Sequence, residues 1–258
     1  MTDQNFTIQN VTASNVDKSG FFCYMSKPKA PGYQHKLTWL QERLAEGMQI
    51  KILHETGGRN VAFIEYIPGE YAWRAVHAPG YLVIHCLWVV GKGKGKGYGT
   101  RLVQDCIAEA RTLGKHGVVM LSSDATWLAG KKLFLHNRFI QIDQAPPSFQ
   151  LLVHRFGDAQ LPSLPQDWER RQAAFGEGLT AVRSAQCPYI ENATKDLFES
   201  AAALGIPARV VELRSAAEVQ QRAPCAYGVF SIIYNGKLLS YIYLTRADLE
   251  KRMAQIGG

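Results

Sequence analysis

The sequence predicts a mixed α/β protein in two parts, and three observations carry that prediction. Apolar runs of strand length alternate with stripes at helical spacing over residues 1–156. A proline- and glycine-containing segment, 157–168, breaks both periodicities before a shorter alternation resumes over 169–258. Between one near-continuous apolar strand and the helix after it stands an unusual run, Gly91-Lys-Gly-Lys-Gly-Lys-Gly-Tyr-Gly99.

Taken in order, residues 6–11 read as a strand. Leu37, Leu40 and Leu44 then mark a helix over 35–44 that Gly47 ends as a C′ residue. Residues 48–54 and 60–67 alternate as strands around a Gly57-Gly58 turn. Residues 81–90 form an apolar strand of the kind buried on both faces. After the glycine–lysine run, Leu102, Val103, Cys106, Ile107 and Ala110 make the stripe of a helix closed by Gly114. A buried strand over 118–121, a helix over 127–137 and a strand over 149–154 complete the first part. In the second part the order is strand (179–184), helix (193–204), strand (208–213), short helix (216–222), two strands (229–234 and 237–243) and a helix (246–253). Asn235-Gly236 supplies the hairpin signal between the last two strands. The chain therefore divides into 1–156, a linker over 157–168, and 169–258.

Composition narrows the classes. With 258 residues, 47% hydrophobic and 20% charged, the chain is long enough for one or two packed domains and too apolar for disorder. The longest apolar run, 81–90, is interrupted by His85 and falls short of the roughly 20 residues of a membrane span. The first five residues carry no basic patch or apolar stretch of a secretory signal. Five scattered cysteines without a Cys-x-x-Cys pair fit a reducing cytoplasm, with no zinc site or other metal expected. The net charge of +7 is uneven: residues 1–160 hold 18 basic and 12 acidic side chains, and 161–258 hold 11 and 10. The first part should meet an anion.

The glycine–lysine run suits a phosphate. Glycines let backbone N–H groups converge, and the helix that follows adds unpaired amides and a positive dipole end. Two common phosphate motifs fail here. Aligning Gly95-Lys96 with a P-loop places Val90 at the first glycine and Gly97 at the hydroxyl residue. The dinucleotide fingerprint would need glycine at Lys96 or Tyr98. The ending Lys94-Gly95-Lys96-Gly97-Tyr98-Gly99-Thr100 resembles motif A of the GNAT superfamily of N-acetyltransferases, Arg/Gln-x-x-Gly-x-Gly/Ala, with Lys94 at the Arg/Gln position and Val89 eight residues before Gly97.

The resemblance extends over 1–156 in element order and implies acetyl-CoA as cosubstrate, held where the strand ending at Val89 splays from the one starting at Val118. Carried over by position, backbone groups of Leu87, Trp88 and Val89 would pair with the pantetheine arm. Amides of Lys94, Gly95, Lys96, Gly97, Tyr98, Gly99 and Thr100 would hold the pyrophosphate. The superfamily's carboxylate base falls at Val83, so it is missing. His85, on the same strand face and with an imidazole's ordinary pKa, is the candidate base, against an equal claim as a core histidine. The superfamily's acid, a tyrosine in Leu-Tyr-x-x-x-Gly-Phe, falls at Phe134, with Arg138 at the glycine. Ser122, Ser123 and His136 are the nearby substitutes, and the Val89 or Val90 amide could stabilise an oxyanion. Glu65, Tyr66, Tyr71, Trp73 and Arg74 lie in and after the third strand, where an acidic–aromatic mixture would suit a cationic amine; Tyr66 reads better as sheet packing.

The order of the second part, and Cys187-Pro-Tyr-Ile190 between its first strand and helix, resemble a thioredoxin-like βαβαββα fold. That resemblance makes Cys187 a candidate reactive thiol of lowered pKa and places Cys225, after Pro224 at the fold's cis-proline position, as its neighbour. Ile190 stands where a partner cysteine would be, and a fold relic without redox activity is the commoner outcome. The whole chain resembles acetyltransferases with a C-terminal YoaP-like domain. The leading expectation is acetyl transfer from acetyl-CoA to a primary amine of a small molecule or peptide in a ternary complex. An acyl-CoA-binding sensor and a thiol-redox protein are the alternatives. Neither nucleic acid nor membrane is an expected partner, since three lysines on one loop lack an aromatic platform.

Overall fold

A computed structural model describes residues 6–124 and 127–257; the first five residues, read above for a secretory signal, lie outside them. The first part is a seven-stranded sheet, and its element order is β1 (Phe6–Val11), α1 (Val16–Ser19), α2 (Pro31–Ala45), β2 (Gln49–Glu55), β3 (Arg59–Pro68), β4 (Leu82–Val89), α3 (Tyr98–Thr112), β5 (Gly117–Ser123), α4 (Lys131–His136), β6 (Ile140–Ala145) and β7 (Phe149–Arg155). The strands lie in the order β1-β2-β3-β4-β5-β7-β6, antiparallel except at β4–β5. Every residue of β5 is buried, the apolar run 118–121 as expected and the polar Ser122 and Ser123 with it.

Two features of this sheet shape the site. The β4–β5 pairing holds for only three positions, Leu82 with Val118, Val83 with Val119 and Ile84 with Met120. Beyond them the strands part and leave a cleft. On its other side β4 slips register against β3: Glu65 pairs with Cys86 and Tyr66 with Ile84, so His85 bulges. The bulge brings Cys86, which strict alternation would send to the opposite face, into line with Glu65.

The two faces of the sheet are covered differently. Tyr66 reaches Glu109 of α3 at 2.7 Å, so α3 lies on its face. Its neighbour Glu65 points the other way, to Lys36 of α2. In α2 the buried stripe is Tyr33, Lys36, Leu40 and Arg43 beside Gly32 and Trp39. This differs from the stripe expected through Leu37 and Leu44, which are only half-buried. The helix expected over 127–137 is Lys131–His136 alone, because Gly130 is extended and starts it. The edge strand β6 was not foreseen; Ile140 on it is exposed.

The C-terminal sheet domain contains α5 (Trp168–Ala173), β8 (Leu179–Arg183), α6 (Ile190–Ala203), β9 (Ala208–Glu212), α7 (Ala216–Arg222), β10 (Phe230–Tyr234), β11 (Lys237–Ser240) and α8 (Arg246–Gly257). Its strand order is β11-β10-β8-β9, with β8–β9 parallel and the rest antiparallel. Asn235 and Gly236 both take positive φ, 48° and 71°, as a tight β10–β11 hairpin requires. The cis peptide among the described residues is Pro146–Pro147, so the expectation of a cis bond before Pro224 is corrected.

The domain packs on the α2 face of the first sheet. Gly32 of α2 presses so closely on Pro188 that a Cβ there would stand 2.0 Å from the Pro188 oxygen. Asn192 bonds the Tyr24 hydroxyl at 2.9 Å, and the Ala75 amide bonds the Ala226 carbonyl at 3.2 Å. The segment 157–168 is itself anchored, through paired His77 and Ser163 and a buried Leu164.

Candidate active site

The glycine loop leaves β4 and enters α3 as the sequence suggests, with Gly91, Gly95 and Gly97 at φ values of 43°, 80° and 79°. At each of these three a Cβ would meet nothing within 4 Å, so open space lies over the loop. Among the described residues, the amides of Gly95, Gly97, Tyr98, Gly99 and Thr100 meet no backbone acceptor. Two amides of the expected set are already used: Lys94 bonds Gly91 O and Lys96 bonds Gly93 O. The lysines divide as well. Lys96 is held 2.7 Å from Glu55, which also takes Arg59 and the Tyr98 hydroxyl. Those three hydrogen bonds bring the Glu55 carboxyl down to about 2. Lys92 and Lys94 make no ion pair among the described residues and are exposed. Gly99 is small for another reason, since a Cβ would stand 3.2 Å from Leu133 where α3 meets α4.

Along β4 the backbone alternates in direction. The Val90 amide bonds Val61 O on the β3 side, which corrects its candidacy as an oxyanion donor. In an antiparallel ladder successive residues turn their polar groups to opposite sides, so Trp88 also faces β3 while Leu87 and Val89 face the cleft. The Trp88 side chain is 42% exposed, beside Lys94.

On the α2 face lies a buried cluster. Lys36 Nζ is 2.7 Å from Glu65 Oε2, with both side chains at most 4% exposed. Burial opposes the Glu65 charge, but Lys36 and the His85 contact outweigh it and bring the carboxyl to about 2. His85 is fully buried; its Nε2 accepts the Trp73 amide at 2.9 Å, and its Nδ1 lies 3.4 Å from Glu65 Oε1, off hydrogen-bond geometry. Burial drives the imidazole down to about 4. The expectation of a general base at His85 therefore meets a corrected geometry: the one lone pair of the neutral ring is already occupied by a backbone amide. Arg74 ties the bulge to the C-terminal domain, bonding the His85 carbonyl and Gln186 Oε1 while stacking on Tyr227.

His85 makes stability depend on pH. Its folded pKa lies below the unfolded 6.5, so its contribution is full above about pH 6.5 and is lost as pH falls toward 4. Urea unfolding at pH 7.5 and 5.0 should show a smaller loss in a His85→Gln variant than in the parent; equal losses would contradict this.

The remaining candidates separate. Ser122 and Ser123 face opposite ways: Ser122 Oγ bonds Ala129 O toward α4, whereas Ser123 Oγ lies 2.5 Å from the Tyr241 hydroxyl. Phe134 is buried against Phe139 and has no proton to give. Cys187 does not carry a lowered pKa; burial pushes its thiol up, as it does that of Cys225, which bonds Ser231. Cys86 and Cys187 stand near enough to Cys23 to oppose its ionisation, Cys187 does the same to Cys86, and burial takes Cys86 to about 12. All five cysteines are free thiols. The described residues contain no group of three or more His, Cys, Asp or Glu able to hold a metal and no helix long and apolar enough to cross a membrane.

Lys36 and Tyr241 were missed in the sequence. Lys36 had a faint signal, as it stands three residues from both Tyr33 and Trp39 on one helix face. Tyr241 had none, since only the docking of the C-terminal domain brings it to β5.

Comparison with known proteins shows a family. Residues 19–133 match the acetyltransferase (GNAT) family. The chain is 30% identical over 248 residues to the uncharacterized N-acetyltransferase YoaP of Bacillus subtilis (strain 168), covering 93% of this chain and 96% of that one. Among solved structures it is similar to the PaiA N-acetyltransferase of Thermoplasma acidophilum in complex with coenzyme A, at TM-score 0.43 and 9% identity, covering 58% of this chain and 99% of that one. It is also similar to a GNAT family acetyltransferase of Brucella melitensis in complex with acetyl-CoA, at TM-score 0.39 and 17% identity, covering 60% and 91%.

Proposed function

This chain belongs to the acetyltransferase (GNAT) family, and from that premise we propose that it is an N-acetyltransferase that passes the acetyl group of acetyl-CoA directly to a primary amine of a small molecule or peptide. Bound acetyl-CoA supplies an activated acetyl thioester. The observation that carries the reading is the cleft between β4 and β5, which leads to a glycine loop where five amides meet no backbone acceptor among the described residues and open space lies above Gly91, Gly95 and Gly97. That cradle fits a pyrophosphate, with the dipole of α3 behind it.

The chain's own residues divide the work. Gly95, Gly97, Tyr98, Gly99 and Thr100 offer N–H donors to the phosphates, and Lys92 and Lys94 add charge at the rim. Leu87 and Val89 turn backbone groups into the cleft, where they can bond the amides of the pantetheine arm. The Val89 amide is the donor placed for negative charge developing on the acetyl oxygen. On the acceptor face, Glu65 is a fixed charge neutralised by Lys36, and His85 is held neutral. Neither titrates near neutral pH, so the amine has to arrive as the free base or lose its proton to water.

Thiol release from acetyl-CoA across a panel of primary amines tests this reading. One class of amine should be turned over, at a rate that climbs with pH toward that amine's own pKa and shows no step near 6.5. Binding of acetyl-CoA without turnover of every amine would leave an acyl-CoA sensor in place of an enzyme.

A further inference from the structure

The end of β5, beyond its stretch paired with β4, is covered by a side chain from the far end of the chain. Tyr241, just past β11, is 6% exposed, and its ring packs on Phe149 of β7 with centroids 4.6 Å apart. Its hydroxyl lies 2.5 Å from Ser123 Oγ and 3.3 Å from Ser148 Oγ. Ser123 stands three residues beyond Met120, the last residue of β5 paired with β4. Leu87, whose backbone faces the cleft, stands three residues beyond Ile84 on β4. The Tyr241 hydroxyl thus sits over the end of β5, beyond its stretch paired with β4 and on the acceptor face.

Breaking a thioester leaves a thiolate unless a proton arrives as the bond breaks. The other groups of the acceptor face are poorly suited to give one. The His85 ring is held by Trp73 and faces Glu65, and the Cys86 thiol is pushed up to about 12. A buried hydroxyl already bonded to two serines, one of them half-buried at the domain edge, has both a proton to give and a path to recover it. We propose that Tyr241, delivered by the C-terminal domain, donates the proton to the departing sulfur, and that Ser123 and Ser148 recharge it. The inference rests on the acetyl-CoA reading above.

The step balances. The amine nitrogen forms the new N–C bond and loses a proton to solvent, and the C–S bond breaks with its electron pair on sulfur. The Tyr241 proton moves to that sulfur, and the tyrosinate regains one from solvent through Ser123 and Ser148. The second domain thereby becomes part of the active site, and a chain ending at the linker would lack this donor.

The test titrates the thiol of bound CoA by its thiolate absorbance in the full-length protein and in Tyr241→Phe, which keeps the ring on Phe149. A hydroxyl that donates to the sulfur favours the thiolate, so Tyr241→Phe should raise the bound thiol's pKa by about one unit or more. With an accepted amine, kcat should fall about 10- to 100-fold, with the KM for acetyl-CoA nearly unchanged. Ser123→Ala, which leaves Tyr241 in place, should shift the thiol the same way by less, and serves if Tyr241→Phe does not fold. Equal CoA affinity with unshifted titration in the variants overturns the assignment of Tyr241. Failure of the parent protein to bind CoA overturns the acetyl-CoA reading itself, and this assignment with it.

Discussion

Replacement of Lys36 by methionine is expected to destabilise the protein by about 3–5 kcal/mol, since it strands the Glu65 carboxylate in the interior. Both partners are nearly inaccessible to water, and the nearest alternative, His85, is neutral and off-axis from Glu65. Nothing else in that contact would compensate the charge, and the carboxyl would have to take up a proton. A Glu65→Gln change in the same chain should therefore recover much of the loss, because it removes the stranded charge. Urea unfolding of the single and double variants measures this directly. A loss below about 1 kcal/mol in Lys36→Met, the scale of an exposed pair, would show the pair to be solvated.

Gly97→Val should abolish most of the affinity for acetyl-CoA while leaving the fold largely intact. Gly97 caps α3 at φ 79°, a conformation that a β-branched residue adopts only under strain of about 1–3 kcal/mol. The Cβ itself meets no protein atom within 4 Å, so the added bulk enters the open space over the amides. That space is where the phosphates are expected, and loss of several charge-assisted hydrogen bonds there should weaken binding by at least about 100-fold. Isothermal titration with acetyl-CoA reads the affinity, and a thermal scan of the unliganded variant reads the strain. Affinity within tenfold of the parent, by rough estimate a change of only about 1.4 kcal/mol, would place the phosphates elsewhere.

How much of this was legible in the chain differs by feature. The strand–glycine loop–helix arrangement was legible because it is local: glycine spacing, the strand before it and the helix after it are all contiguous. The βαβαββα succession of the second part followed from periodicity for the same reason, whereas the order of strands within each sheet did not. The buried cluster was less legible because it depends on the bulge at His85 and on α2 turning Lys36 inward. Neither has a marker within the strand or helix that carries it. His85 stood out as an imidazole on the expected face, but only the structure shows the Trp73 amide on its lone pair. Cys187 stood out for a similar reason, but its burial raises the thiol pKa where its place before a helix suggested a lowered one. Tyr241 lies 118 residues from Ser123 in sequence, and such a pairing is set by domain docking alone.

The most direct measurement of the central claim is the thermal unfolding of the parent protein with and without acetyl-CoA. A ligand that binds the folded cleft at about a hundred times its dissociation constant stabilises by about 2.7 kcal/mol, which for a chain of this size raises the midpoint by roughly 5–10 °C. The account predicts that shift, and its absence in Gly97→Val. An unchanged midpoint in the parent at millimolar acetyl-CoA would contradict it.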